Sequence, residues 1–200
     1  MTLIIIIITV LFSITAFNKT ELMYRYNFNP YQVIKRNQWY RVITHAFLHA
    51  NWGHLLINMF VLLSFGNALN MYINHYFTNN TTLIYLIIYT GGIIASTLPT
   101  LIKEKNNFNY NAVGASGAVS AIVFACIFFD PMNKIYFFAI IPIPGIIFGI
   151  LYLWYSNYMG KKNIDNIGHE AHFWGAIFGF IFPLILNPSL IINFIDKLHF

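Results

Sequence analysis

Asn111-Ala112-Val113-Gly114-Ala115-Ser116-Gly117-Ala118-Val119-Ser120-Ala121 ends a polar loop and opens an apolar run, Ile122 to Phe129. Ser116 is therefore predicted at or just inside the N-terminus of a membrane helix, where a hydroxyl is unusual. Glycines at 114 and 117 leave the backbone on both sides of it uncovered. The first helical turn also carries N–H groups that have no partner within the helix. A peptide carbonyl could approach the hydroxyl and those donors together, which is how a nucleophile with an oxyanion site is built. Taken alone, Gly-x-Ser-Gly is more simply a close-packed helix start made of small residues. It acquires chemical meaning only if a base lies elsewhere at membrane depth.

The composition sets that depth. Of 200 residues, 58% are hydrophobic, 18% aromatic and only 8% charged, against about a quarter charged in soluble globular chains. The chain is thus expected to be a polytopic membrane protein, with apolar runs near the ~20 residues that a bilayer requires. A single cysteine, Cys126, lies inside an apolar run, which excludes a disulfide pair and a thiolate metal site and makes Cys126 a packing residue. The net charge of +5 comes largely from residues 18–53, where Lys19, Arg25, Lys35, Arg36 and Arg41 stand against Glu21. Nothing elsewhere extends this basic patch, so it reads as a loop at the lipid bilayer and not as a nucleic-acid surface.

Six helices are predicted, in one domain spanning 1–200. The first covers residues 1–17, and without a basic leader or small-residue cleavage site it reads as a retained span. A long membrane-associated loop, 18–53, follows, with Asn29-Pro30 and the interfacial aromatics Trp39, Tyr40 and Trp52. The second helix runs from His54 to about Phe77, with Asn51 placed to cap it. After a polar turn at 78–82, the third covers Leu83 to Ile102. The fourth starts near Ser116 and ends before Asp130-Pro131. Pro142, Pro144 and Gly145 interrupt the next region, 132–157, giving an irregular lead-in and a fifth helix from about Pro144 to Tyr158. A loop at 161–167 leads to the sixth helix, Gly168 to about Leu186, and the tail from Asn187 is expected to lie at the interface. An even helix count puts both termini on one side, and charge counting over short loops would put the basic loop in the cytoplasm.

Polar side chains at membrane depth are costly and are functional candidates by default. His54 and Asn58, at i and i+4, share a face of the second helix. The sixth helix carries His169, Glu170 and His172, the first two at its water-exposed start, where Glu170 suits the helix dipole. His172, Gly175 and Gly179 lie at i, i+3 and i+7, so the histidine projects from the face of a Gly-x-x-x-Gly seam that calls for a close partner. Gly117, Ala121 and Ala125 on the fourth helix offer one. Packing the two seams would bring both helix starts together and His172 within reach of Ser116. Ser116 would then be the nucleophile, and His172 the general base that later protonates the leaving amine. No Asp or Glu is evident to orient the imidazole, so the pair is a dyad. The Ser116 N–H and the His54 and Asn58 side chains would hold the oxyanion. His45 and His49 read as structural, bonding the loop backbone.

Taken in order, Tyr40-Arg41 with Thr44-His45-Ala46-Phe47-Leu48-His49, then His54-x3-Asn58, Gly114-Ala115-Ser116-Gly117 and Ala171-His172-x2-Gly175-x3-Gly179 resemble a rhomboid intramembrane serine protease over nearly the whole chain. The resemblance implies an all-α six-transmembrane-helix bundle and a Ser116-His172 dyad in a water-filled cavity, with no cofactor and no metal. It also implies cleavage of single-pass transmembrane proteins near their helix ends, an oxyanion role for His54 and Asn58, and a structural role for Arg41. Three departures stand out. The usual Trp-Arg pair of the first loop reads Tyr40-Arg41, with Trp39 one place early. One turn after the serine, where some relatives carry an aromatic that stacks on the catalytic histidine, this chain has Ser120, so the orientation of His172 must come from elsewhere. The resemblance also implies a cytoplasmic N-terminus, as in a bacterial inner membrane, with the basic loop outside, against the charge rule.

Competing readings are weaker. Zinc proteolysis would need His-Glu-x-x-His, and His169-Glu170-Ala171-His172 is one residue short. A bis-histidine haem protein would use the histidines of the second and sixth helices but leaves Gly-x-Ser-Gly without a purpose. A transporter would show paired half-helices or repeated halves. A catalytically inactive rhomboid-like binding protein would be expected to lack the serine or the histidine, and both are here. The fifth helix, with its broken lead-in, is the expected mobile gate for substrate.

Overall fold

The computed structural model of the chain describes residues 1–77, 79–137, 140–162, 164–165 and 167–198. The predicted turn at 78–82, lead-in at 132–157, loop at 161–167 and tail from 187 each include one or two other positions, and those parts lie outside the described residues. The element order is α1 (Thr2–Asn18), three short helices α2 (Thr20–Tyr26), α3 (Pro30–Arg36) and α4 (Arg41–Thr44), a 3-10 turn His45–Phe47, α5 (Trp52–Tyr76), α6 (Thr81–Lys103), α7 (Ser116–Phe129), strands β1 (Lys134–Phe137) and β2 (Ile141–Pro144), α8 (Gly145–Lys162), α9 (His169–Leu186) and α10 (Leu190–Asp196).

Among the described residues, six long helices form the helical bundle of an integral membrane protein. Helices α5, α6 and α9 are long and apolar enough to cross a bilayer, while α1 and α7 are apolar but shorter. Packing follows the solvent. On α1 the buried residues are Thr2, Ile5, Thr9, Ser13 and Ala16, whereas Leu3, Ile4, Ile7 and Leu11 face outward. Small polar groups inside and large apolar groups outside is an arrangement for lipid, where helices associate through close packing and hydrogen bonds. At its start, the Thr2 and Tyr85 hydroxyls share a 3.1 Å hydrogen bond, and Asn70 Nδ2 donates to Thr2 Oγ1.

Helix α7 is the hub. Every residue from Gly117 to Phe129 is buried, with α5, α6, α8 and α9 packed around it. Its 14 residues span only ~21 Å at ~1.5 Å per residue, against ~30 Å of hydrocarbon. A helix that short does not span the hydrocarbon by itself, and it is enclosed by longer ones.

Two regions differ from the sequence reading. The loop 18–53 contains helices: Asn29 accepts from the Gln32 N–H at 2.9 Å, and Pro30 takes the first helical position. Asn-Pro here is a cap and a start, not a loop marker. The apolar lead-in before α8 is an antiparallel ribbon pairing Lys134 with Pro144 and Tyr136 with Pro142. Prolines two apart turn their nitrogens to the same side, so both can sit at outward positions that need no donor.

Candidate active site

Ser116 is the first residue of α7 and is half-buried. The preceding Ala115 supplies no capping side chain, so the first-turn N–H groups keep their donors free of side-chain acceptors. Gly114 holds φ +129°, and its N–H donates to the His45 carbonyl at 3.0 Å. A Cβ built there would stand 2.6 Å from Cε1 of His54. The glycine therefore serves twice: it takes a backbone angle other residues avoid, and it lets the His54 ring lie against the approach to Ser116.

Helix α9 brings the other half of the site. A Cβ at Gly175 would strike the Gly117 carbonyl oxygen, and one at Gly179 the Ala121 carbonyl oxygen. The two backbones touch along both seams, with Gly117 next to Ser116 and Gly175 one turn past His172. The His172 ring stacks on Tyr152 at 6.3 Å between centroids and 28° between planes, and meets the His169 ring edge-on at 5.9 Å. No hydrogen bond joins Ser116 Oγ to His172 among the described residues.

A rail of polar groups supports His54. Ser13 Oγ donates to the Phe47 carbonyl at 2.9 Å and lies 3.0 Å from His49 Nδ1. Its single proton is committed to the carbonyl, so His49 Nδ1 is the donor in that second bond. The His49 ring meets His54 edge-on at 5.0 Å, and its Nε2 is buried without a partner. Burial first, and the neighbouring His54 second, hold the His49 imidazole well below its usual 6.5, at about 3. His45 is likewise neutral, with burial lowering it to about 4 while Nδ1 donates to the Arg41 carbonyl at 3.0 Å. Asn58 is buried and donates from Nδ2 to the His54 carbonyl at 2.9 Å, which leaves one amide proton for another acceptor.

Arg41 is removed from this centre. It is buried, its Nε donates to Gln38 Oε1, and its Nη1 lies within 3 Å of the Tyr24 and Asn27 carbonyls and Asn27 Oδ1. Asn27 and Asn29 in turn donate to Asn111 Oδ1, and Phe28 and Ala112 exchange backbone hydrogen bonds. The guanidinium thus pins α2 and α3 to the segment that leads into Ser116.

A profile described as Rhomboid domain matches residues 36–189. The chain belongs to the rhomboid family. This rhomboid is 28% identical over 155 residues to RHOMBOID-like protein 12, mitochondrial, of Arabidopsis thaliana, covering 71% of the chain and 45% of that relative. It is 28% identical over 159 residues to Rhomboid protease GluP of Bacillus subtilis (strain 168), covering 80% and 29%. It is 36% identical over 81 residues to Rhomboid-like protein 11, chloroplastic, of Arabidopsis thaliana, covering 40% and 26%. The chain spans less than half the length of these curated relatives.

Sequence reasoning placed His169 at a water-exposed position, yet in this rhomboid it is buried. Its Nε2 donates to Asp165 Oδ2 at 3.1 Å, and that hydrogen bond holds the Asp165 carboxyl below its usual range. An acidic group therefore does stand near His172, one histidine removed from it. Its signal was the i, i+4 spacing of Asp165 and His169, followed three residues later by His172. Glu170 does more than meet a helix dipole: Oε2 accepts from Thr100 Oγ1 at 3.4 Å and lies 3.7 Å from Lys103 Nζ, tying the start of α9 to the end of α6. Tyr152 and Ser13 carried no sequence signal, since each is one of several polar or aromatic residues along its helix and belongs to no motif.

Proposed function

We propose that this rhomboid is an intramembrane serine endopeptidase that cleaves transmembrane segments of single-pass membrane proteins. Ser116 Oγ attacks the scissile carbonyl carbon as His172 takes its proton. The C–N bond then breaks and His172 returns the proton to the leaving amine. Water repeats the sequence on the acyl-enzyme. The oxyanion is held by the Ser116 N–H, at the positive end of α7, and by the His54 ring, with the free amide proton of Asn58 as a further donor. Arg41, Gly114, Gly117, Gly175 and Gly179 shape the site without touching substrate.

The observation that supports this reading best is the backbone contact of Gly175 with Gly117, which sets the start of the short α7 and the first turn of α9 at one level. The haem alternative leaves the Gly114-Ala115-Ser116-Gly117 start of α7, and its close fit to α9, without a purpose. The N-terminus is proposed to be cytoplasmic in a bacterial inner membrane, with the serine toward the opposite face. Reporter fusions at the 103–111 loop and the chain start read that topology.

The test is cleavage of single-pass model substrates in liposomes by the wild-type chain and by Ser116→Ala, with fluorophosphonate labelling of Ser116 alongside. Cleavage and labelling confined to the wild type are expected. Cleavage that survives in Ser116→Ala overturns the nucleophile, and a serine that takes no label moves the inactive-relative reading to the front.

A further inference from the structure

Among the described residues, no aromatic of the serine helix stacks on the His172 ring. Ser120 lies one turn beyond Ser116 on the same face, and its side chain is too short to cover an imidazole on α9. It does something else: Ser120 Oγ and the Tyr152 hydroxyl share a 2.7 Å hydrogen bond. The same Tyr152 ring stacks on His172, and its surroundings are aromatic, with Phe124 of α7 at 5.5 Å and Phe148 of α8 at 5.8 Å between centroids. A small hydroxyl residue at 120 and a tyrosine at 152 together fill the space beside the base. The ring comes from α8, a different helix from the one that carries the serine.

Helix α8 is the least enclosed of the six. Its buried residues are Gly145, Gly149 and Ser156, while Ile147, Ile150, Leu151 and Trp154 face outward. Among the described residues, the Ser120–Tyr152 bond is the one side-chain hydrogen bond between α8 and α7. A displacement of α8 therefore breaks that bond and withdraws the ring from His172.

We propose that Tyr152 is the positioning residue for the His172 ring, held in register by Ser120, so that the general base is oriented only while α8 is docked against α7. This rests on the reading of Ser116 and His172 as a dyad. Tyr152 touches neither substrate nor a reacting atom. It removes the freedom of the imidazole to rotate, and loss of such alignment typically costs up to ~100-fold in rate. Opening α8 to admit a substrate helix would release the base, and redocking would restore it.

The experiment uses the full chain in nanodiscs and two readouts on wild type, Tyr152→Leu, Tyr152→Phe, Ser120→Ala and the Phe/Ala double variant. The first is the rate of fluorophosphonate labelling at Ser116. The second is diethyl pyrocarbonate modification of individual histidines, resolved by mass spectrometry. Tyr152→Leu is expected to slow labelling ~10- to 100-fold and to raise modification of His172, while His45 and His49 stay protected and so report an intact fold. Tyr152→Phe keeps the ring and is expected to fall between, matched by Ser120→Ala. The double variant should be no slower than either, because both changes delete the same bond. Wild-type labelling and unchanged His172 modification in Tyr152→Leu would overturn the proposal. If wild-type Ser116 takes no label, the protease reading falls, and the His172 modification pattern alone still decides whether Tyr152 covers that ring.

Discussion

Gly114 is held at φ +129° with the His54 ring where a side chain would begin. Gly114→Ala therefore asks the backbone and the His54 ring, the proposed oxyanion donor, to move together. It is expected to cost more than ~1 kcal/mol of stability and to lower kcat by ~100-fold, the usual cost of a displaced oxyanion donor. Cleavage assays on the purified variant check it, and wild-type turnover would remove His54 from the proposed chemistry. The histidines behind it make a second prediction at this scale. His45 and His49 are held neutral at about 4 and about 3 by burial. Their folded-state values lie below the unfolded one, so the unfolded chain binds more protons as pH falls below ~6.5, and stability drops by about 1.4 kcal/mol per pH unit for each group. Above ~6.5 both states are neutral and the contribution is complete. Thermal unfolding midpoints in detergent should be flat near neutrality and fall steadily from pH 6.5 toward 4, and His49→Gln, in an otherwise intact chain, should fall less steeply.

Among the elements, the α7–α9 pair decides the site, because its two backbones leave no room for a methyl group. Gly179→Ala is expected to push α9 from Ala121, lose ~1–3 kcal/mol as overpacked cores do, and slow Ser116 labelling with Ser116 and His172, the proposed dyad, both unchanged. A stable, fully labelled Gly179→Ala would show that the seam can shift. This seam was legible in the sequence because small residues every fourth position on both helices leave few ways to pack, and Gly175 and Gly179 meet Gly117 and Ala121 in that register. The helices of 18–53 were not legible, since segments of four to seven residues are too short for a period to appear. The ribbon was hidden for another reason: 134–144 is apolar on both sides, with no alternation to mark a strand. Tyr152 lay outside any pattern, because what singles it out is a neighbour 32 positions away, Ser120.

For the molecule as a whole, burial is graded from the centre outward. Helix α7 is enclosed on all sides, and α8 buries little beyond two glycines and a serine. Local opening is easiest where few buried contacts oppose it. Hydrogen exchange in nanodiscs should therefore be slowest along α7 and faster along α8 and the β1–β2 ribbon, and equal protection of α7 and α8 would count against a mobile α8. The six-helix plan was legible from the apolar runs alone, while the enclosure of the shortest helix was not, because it depends on how the other helices wrap it. That wrapping has a consequence for how the protein meets membranes of different thickness. Hydrophobic mismatch acts on surfaces that touch acyl chains, and here those belong to outer helices such as α1 and α8, while α7 touches only protein. A thinner or thicker bilayer acts first on that rim, and the serine at the start of α7 is held by the protein around it and not by the lipid.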